Sequence, residues 1–129
     1  MKRALLFLLL AQAPITWTTQ QGYENMNIAL VALRWVFVSY GVPERGDANW
    51  LDHQGSYMAV VAAGPVFRLL GARDVGDTRD YHVATMPGVN AGLVDGELAW
   101  RQHDGGHEDR SNMTHFIAWA ERLMADGRT

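Results

Sequence analysis

Glu97–Arg110, with the sequence ELAWRQHDGGHEDR, is the stretch that decides the fold. Leu98 and Trp100 have the composition of a strand, and Gly105-Gly106 ends any regular structure. A periodic apolar segment follows, so we expect His107 in a loop between a strand and a helix. Open α/β sheets place their chemistry at the carboxyl ends of strands. His107 is therefore the first candidate for a functional residue.

A second strand is predicted upstream, over Arg34–Tyr40. Val36, Phe37 and Val38 are consecutive apolar residues, which suits a strand covered on both faces, as in a parallel sheet. The polar residues 41–49, which include Asp47, then form a loop at the end of this strand.

Three helices are predicted, over Glu24–Ala32, Gln54–Leu70 and Asn112–Ala125. Gly71 is placed to stop the second helix, and Pro65 should kink it or split it in two. Ser111 is the predicted N-cap of the last helix, and Gly127 follows its end. The apolar side of that helix is predicted to consist of Met113, Phe116, Ile117, Ala120, Leu123 and Met124. Residues 72–96 lack a sustained period and are expected to form a long irregular connection.

The element order predicts an α/β fold, a βαβα unit with a right-handed parallel crossover. Two parallel strands make a poor sheet, so we expect an incomplete portion of a larger three-layer domain. The edge of the strand over Arg34–Tyr40 would then be open, which favours self-association.

The composition indicates a folded domain and argues against several classes of partner and site. The 129 residues suffice for one domain, and the apolar content of 48% with five tryptophans indicates a folded chain. The net charge of −3 comes with no basic run, so a nucleic-acid partner is not expected. The absence of cysteine excludes disulfides and thiolate metal sites.

The N-terminus has the pattern of a secretory signal. Met1-Lys2-Arg3 precedes the apolar run Ala4–Ala11, and Ala11-Gln12-Ala13 resembles a cleavage site, although Pro14 disfavours cleavage there. The run is too short to span a membrane. We therefore assign 1–20 to a signal peptide or apolar segment, 21–129 to the domain, and the protein to a secreted or periplasmic location; a buried helix or strand is the alternative for the apolar run.

Three runs of sequence carry a family resemblance. They are FVSYGVPERGDANWLD (Phe37–Asp52), AAGPVFRLLG (Ala62–Gly71) and WRQHDGGH (Trp100–His107). In this order they resemble the C-terminal part of bacterial α/β-hydrolases similar to glucuronoyl esterases, carbohydrate esterase family 15. The resemblance implies an ester of plant cell-wall carbohydrate as substrate, serine-type hydrolysis and no cofactor.

The resemblance also implies roles for particular residues. In α/β-hydrolases the triad runs serine, then acid, then histidine along the chain. His107 matches the catalytic histidine and Asp47 the acid that orients it, with Asp52 as second choice and Glu44 as third. Trp50 resembles the tryptophan that lines the uronate pocket of the family.

The sequence departs from the family at the nucleophile. No G-x-S-x-G motif surrounds Ser39, Ser56 or Ser111, and the oxyanion-hole segment is also missing. Histidine and acid without a serine lack the attacking atom. We therefore expect a truncated esterase sequence whose product is inactive alone.

The sequence alone also allows two functions other than that of an esterase fragment. The chain could be a small non-enzymatic domain that contacts sugars through Trp50 and Trp100 or associates with itself or a partner. It could also bind a metal through His103–Asp109, where two histidines lie four residues apart, although Gly105-Gly106 argues against the helix that zinc would need there. His53, His82 and His115 have no evident partners and are interpreted as structural or surface residues.

Overall fold

The computed structural model describes residues 35–127, and the predicted signal segment at 1–20 and the predicted helix Glu24–Ala32 lie outside this range. Its elements are β1 (Val36–Tyr40), a short 3-10 helix (Pro43–Arg45), α1 (His53–Leu69), β2 (Gly92–Leu93), β3 (Leu98–Gln102) and α2 (Arg110–Ala125). Within this range, no helix combines the length and apolar character needed to cross a membrane. The fold is mixed α/β.

The sheet has three strands in the order β1-β3-β2. β1 pairs with β3 in parallel, in a register that runs from Val36 opposite Leu98 to Tyr40 opposite Gln102. β2 pairs with β3 antiparallel, so the connection over residues 72–96, expected to be irregular, contributes a third strand. Sequence periodicity missed β2 because it is only two residues long.

β3 is the buried centre of the sheet, and all five of its residues are buried. Successive side chains of a strand point to opposite faces. Leu98 and Trp100 accordingly pack in one core cluster, and Ala99 packs in a second one. The first cluster includes α1 residues such as Tyr57 and Phe67; the second consists of Ala99 with Trp119 and Leu123 of α2. The two helices therefore cover opposite faces of β3.

α1 has well-defined ends. Asp52 is the N-cap, and its carboxylate accepts the Gly55 N–H at 2.8 Å. Gly71 follows the last turn with φ +81°, and its N–H donates to the Arg68 carbonyl, as expected for a glycine stop signal. Pro65 lies inside one continuous helix, so the predicted split is wrong. Tertiary packing of buried residues on both sides of Pro65 holds the two halves together.

α2 differs from its prediction in two ways. Asp109, not Ser111, is the residue at the N-cap, and the Ser111 hydroxyl instead lies 2.5 Å from His103 Nδ1. The predicted apolar side is largely exposed, because the helix buries only Asn112, Trp119 and Leu123. The exposed large apolar residues of the helix are Met113, Phe116, Ile117 and Met124, at 41–60%.

Polar contacts tie the long connection to α1. The Tyr57 hydroxyl donates to Asp77 at 2.6 Å, and Arg79 pairs with the same carboxylate at 2.6 Å. Hydrogen bonds from Arg79 hold the pKa of Asp77 well below its usual range. Burial of the carboxyl group raises this pKa, and the hydrogen bond from Tyr57 lowers it further. Burial and the nearby Asp77 raise the pKa of Tyr57. This segment is irregular in backbone but fixed by side chains.

Two leucines test the assignment of the core. Leu98 is fully buried in β3, whereas Leu69 at the end of α1 is 69% exposed. We expect Leu98→Ala to lower the free energy of unfolding by about 2–5 kcal/mol, because it removes buried apolar contacts and leaves a cavity. Leu69→Ala, the matched control, should change it by less than about 0.5 kcal/mol. Urea unfolding followed by tryptophan fluorescence measures both, and equal effects would contradict the packing described.

Candidate active site

The loops after β1 and β3 leave the sheet at the same edge. The two strands are parallel and end level, with Tyr40 opposite Gln102. Beyond the strands, the His103 N–H donates to the Tyr40 carbonyl at 2.9 Å, and the Val42 N–H donates to the Gly105 carbonyl at 2.8 Å. Backbone hydrogen bonds therefore join the loop that contains Asp47 to the loop that contains His107.

Glycines allow this close approach. A Cβ atom added at Gly41 would lie 2.2 Å from the carbonyl oxygen of Gly106, and one added at Gly106 would lie 2.5 Å from that of Arg45. Both distances are too short for a side chain, and both obstacles are backbone. Gly41 and Gly106 are thus required for the two loops to pack.

Asp47 is buried, and N–H groups converge on both of its carboxylate oxygens. Oδ1 lies 2.7 Å from His107 Nδ1 and accepts the Ala48 N–H at 2.8 Å. Oδ2 accepts the Gly41 N–H at 2.9 Å and lies 3.3 Å from His53 Nε2. Burial alone would raise the pKa of Asp47, but the hydrogen bonds from His107, Ala48 and Gly41 and the nearby imidazole of His53 together lower it. The carboxylate is therefore ionised at neutral pH.

His107 is presented to solvent, with 73% of its side chain exposed. An ionised carboxylate only accepts hydrogen bonds, so in the neutral ring Nδ1 carries the proton and Nε2 keeps its lone pair. The ring borders a cavity of about 240 Å³ lined by Ser39, Tyr40, Gly41, Asp47, Leu51, Gly106, His107, Glu108 and Asp109. This arrangement suits a general base whose partner fixes the tautomer.

The three candidate acids have different contacts in the structure. Asp47 meets His107, as described above, while Asp52 is engaged as the N-cap of α1. Glu44 is exposed on the short 3-10 helix. Trp50 is 75% exposed and is not among the residues that line the cavity.

All three serines have hydrogen-bond partners. Ser39 borders the cavity, where its hydroxyl donates to Asp109 at 2.8 Å and accepts from Asn112 at 2.7 Å. The Ser56 hydroxyl accepts from Tyr40 at 2.9 Å, and the Ser111 hydroxyl pairs with His103. Each serine is thus held by contacts that serve the local structure.

The structure does not support the two alternative sites, the sugar-contacting surface and the metal site. Trp100 is fully buried in the core, so a sugar-contacting surface built on Trp50 and Trp100 is wrong. His103 is buried against Ser111, whereas His107 turns to Asp47. Among the residues that the structure describes, no three histidine, aspartate or glutamate side chains are grouped to hold a metal ion.

Sequence reasoning missed His53 and Gln102. His53 follows the N-cap Asp52 directly, and its buried ring lies against Asp47 rather than without a partner. The Gln102 amide donates to the Gly41 carbonyl at 2.8 Å. The short separation between Asp47 and the start of α1 is the signal that could have suggested that His53 returns to the same site.

Asp47 should make stability depend on pH. Its pKa in the folded chain lies below the unfolded value of about 3.9, so its contribution is present above that pH and is lost as the pH falls toward the folded pKa. At neutral pH, Asp47→Asn should cost about 1–3 kcal/mol, because an amide NH₂ group then faces N–H donors. Below about pH 4 the difference between the two proteins should shrink.

Urea unfolding of both proteins between neutral and acidic pH measures this difference. Asp77, whose pKa is also lowered, is present in both chains, so it cancels in the comparison. A difference in unfolding free energy that stays constant over the whole range would contradict the ionised, hydrogen-bonded carboxylate.

Comparison with known proteins places this site in a wider context. No protein-family model matches the sequence, and no match is found among curated proteins. Solved structures do match. The structure of a CE15 glucuronoyl esterase from Teredinibacter turnerae T7901 is 35% identical with a TM-score of 0.65, over 78% of this chain and 22% of the esterase.

A glucuronoyl esterase from Solibacter usitatus supports the same fold. It is 24% identical with a TM-score of 0.61, over 76% of this chain and 22% of the esterase. The chain thus spans about a fifth of the length of either enzyme. These matches confirm that the chain resembles the glucuronoyl esterases of carbohydrate esterase family 15.

Proposed function

We propose that the chain carries the acid and the histidine of a glucuronoyl-type carbohydrate esterase, with Asp47 and His107 in these roles. The observation that carries the proposal is the 2.7 Å contact between Asp47 Oδ1 and His107 Nδ1, at the carboxyl ends of paired strands in a chain that resembles such esterases. Acid and histidine are the last two members of the α/β-hydrolase triad along the chain. The chain then corresponds to the C-terminal part of the catalytic domain.

In this function His107 Nε2 takes the proton of a serine hydroxyl as that hydroxyl attacks the ester carbonyl. It then returns the proton to the leaving alcohol. Asp47 holds Nδ1–H and stabilises the imidazolium that forms between the two steps. The fixed backbone donors on Asp47 keep the carboxylate from turning during this cycle. The substrate class is an ester of glucuronic acid in plant cell-wall carbohydrate, and a location outside the cytoplasm fits that substrate.

Trp50 is proposed as a substrate contact. Its indole is exposed between the Asp47 loop and α1, where an aromatic face could pack on a sugar ring. Ser39, Ser56 and Ser111 are engaged in other hydrogen bonds, and none lies in a nucleophile motif. The attacking serine therefore comes from outside these three residues, and the chain alone is inactive.

A second candidate is self-association or association with a partner. Met113, Phe116, Ile117 and Met124 leave an exposed apolar face on α2. Within the described part of the chain, β1 also has a strand neighbour on one side only. Both features favour a covering element. Light scattering on the purified chain distinguishes a monomer from an associated form.

Turnover tests the proposed function. The purified chain should hydrolyse neither methyl glucuronate esters nor aryl esters above background, because the nucleophile is missing. A chimaera can be made in which this chain replaces the segment that it matches in the Teredinibacter turnerae esterase. The rest of that esterase then supplies the serine, and the chimaera should hydrolyse the glucuronate ester. There, His107→Ala should lower kcat/KM on the order of 10⁴-fold or more.

His115→Ala is the matched control, since His115 is an exposed histidine of α2. It should leave the activity of the chimaera unchanged. A folded chimaera in which the His107 and His115 variants are equally active would contradict the assignment. Turnover by the chain alone that vanishes in His107→Ala would overturn the missing nucleophile.

A further inference from the structure

Asp47 contacts two imidazoles in very different surroundings. His107 Nδ1 lies 2.7 Å from Oδ1, and its side chain is 73% exposed. His53 Nε2 lies 3.3 Å from Oδ2, and its side chain is only 8% exposed. The exposed ring is free to meet a substrate. The buried ring can act only through the carboxylate.

The neighbours of His53 fix the position of its proton. The Gln102 side-chain amide nitrogen lies 2.8 Å from the Gly41 carbonyl oxygen, and a carbonyl only accepts hydrogen bonds. This contact orients the amide, so the same NH₂ group faces His53 Nδ1 at 3.4 Å. Nδ1 must then be the acceptor. The proton of His53 consequently lies on Nε2, which contacts Asp47 Oδ2 at 3.3 Å without the geometry of a hydrogen bond.

The His53 ring is also held in place from the strand side. Its centroid lies 4.7 Å from that of the Tyr40 ring, which in turn lies 5.4 Å from the Trp100 ring in the core. Asp52, the preceding residue, is fixed as the N-cap of α1. Helix, strand and core together therefore fix the position of the His53 ring beside Asp47.

We propose that His53 is a positioning residue whose buried ring, with Nε2 3.3 Å from Asp47 Oδ2, holds the carboxylate so that Oδ1 stays aimed at His107. The Gly41 N–H shares Oδ2 with it, and the Ala48 N–H shares Oδ1 with His107. A carboxylate held at both oxygens keeps one orientation, and with it one tautomer of His107. Its catalytic consequence rests on the proposed function, but the positioning itself is independent of turnover.

Ring ¹⁵N NMR of the full chain at alkaline pH tests the proposal. His53 should carry its proton on Nε2 and His107 on Nδ1. In His53→Phe, which keeps a ring but loses the N–H, His107 should lose most of its Nδ1–H population. His53→Gln, whose amide can reach Oδ2, should restore it, and His115→Phe should leave it unchanged.

Two results would overturn the proposal. One is a proton on Nδ1 of His53 in the unaltered chain, which requires no variant to fold. The other is a folded His53→Phe protein in which the tautomer of His107 is unchanged. In the esterase chimaera, His53→Phe should lower kcat on the order of 10- to 100-fold with KM nearly unchanged. An inactive chimaera combined with the expected NMR result would reject the proposed function and leave the positioning role intact.

Discussion

The parallel pairing of β1 with β3 is the constraint on which the site depends. It brings the two strand ends level, and the hydrogen bond from Val42 N–H to the Gly105 carbonyl continues the connection into the loops. A slip of one residue would turn Leu98 and Trp100 away from their core and Ala99 into it. Burial of β3 therefore fixes the register, and the register fixes where Asp47 and His107 meet.

The Asp47 carboxylate links this rigid frame to the exposed ring of His107. A buried charge without partners is costly, but the donors around Asp47 satisfy both oxygens. The two backbone amides keep their positions and do not titrate. His107 can gain and lose a proton at its exposed side, while His53 stays enclosed. In the proposed function, this arrangement combines a fixed acceptor with a base that is accessible to substrate.

Much of this frame could be predicted from the sequence because its signals are local. Apolar runs gave β1 and β3, and Gly71 gave the end of α1. The family resemblance pairs Asp47 with His107, and the structure places these side chains 2.7 Å apart because parallel strands end at one edge of the sheet. The catalytic role of the pair stays a prediction.

Other features depend on tertiary packing and could not be predicted from the sequence. Tryptophan suits either a core or a sugar site, and only the packing of α1 on β3 shows that Trp100 is buried. The apolar side predicted for α2 is largely exposed, because spacing alone does not tell which side a neighbouring element covers. Ser111 is of a residue type that favours the N-cap, but the helix begins two residues earlier than predicted, at Arg110, and the Ser111 hydroxyl pairs with His103. His53 was missed because spacing along the chain does not show that its ring turns back toward Asp47.

The resemblance to glucuronoyl esterases gives the Asp47–His107 pair its chemical meaning, and the geometry of the pair can be tested without any substrate. The most direct measurement is the ring ¹⁵N spectrum of His107 in the unaltered chain and in Asp47→Asn at alkaline pH. Our prediction is that the unaltered chain carries the proton of His107 on Nδ1 and that Asp47→Asn shifts it toward Nε2. A proton on Nε2 in the unaltered chain, or the same tautomer in both proteins, would contradict it.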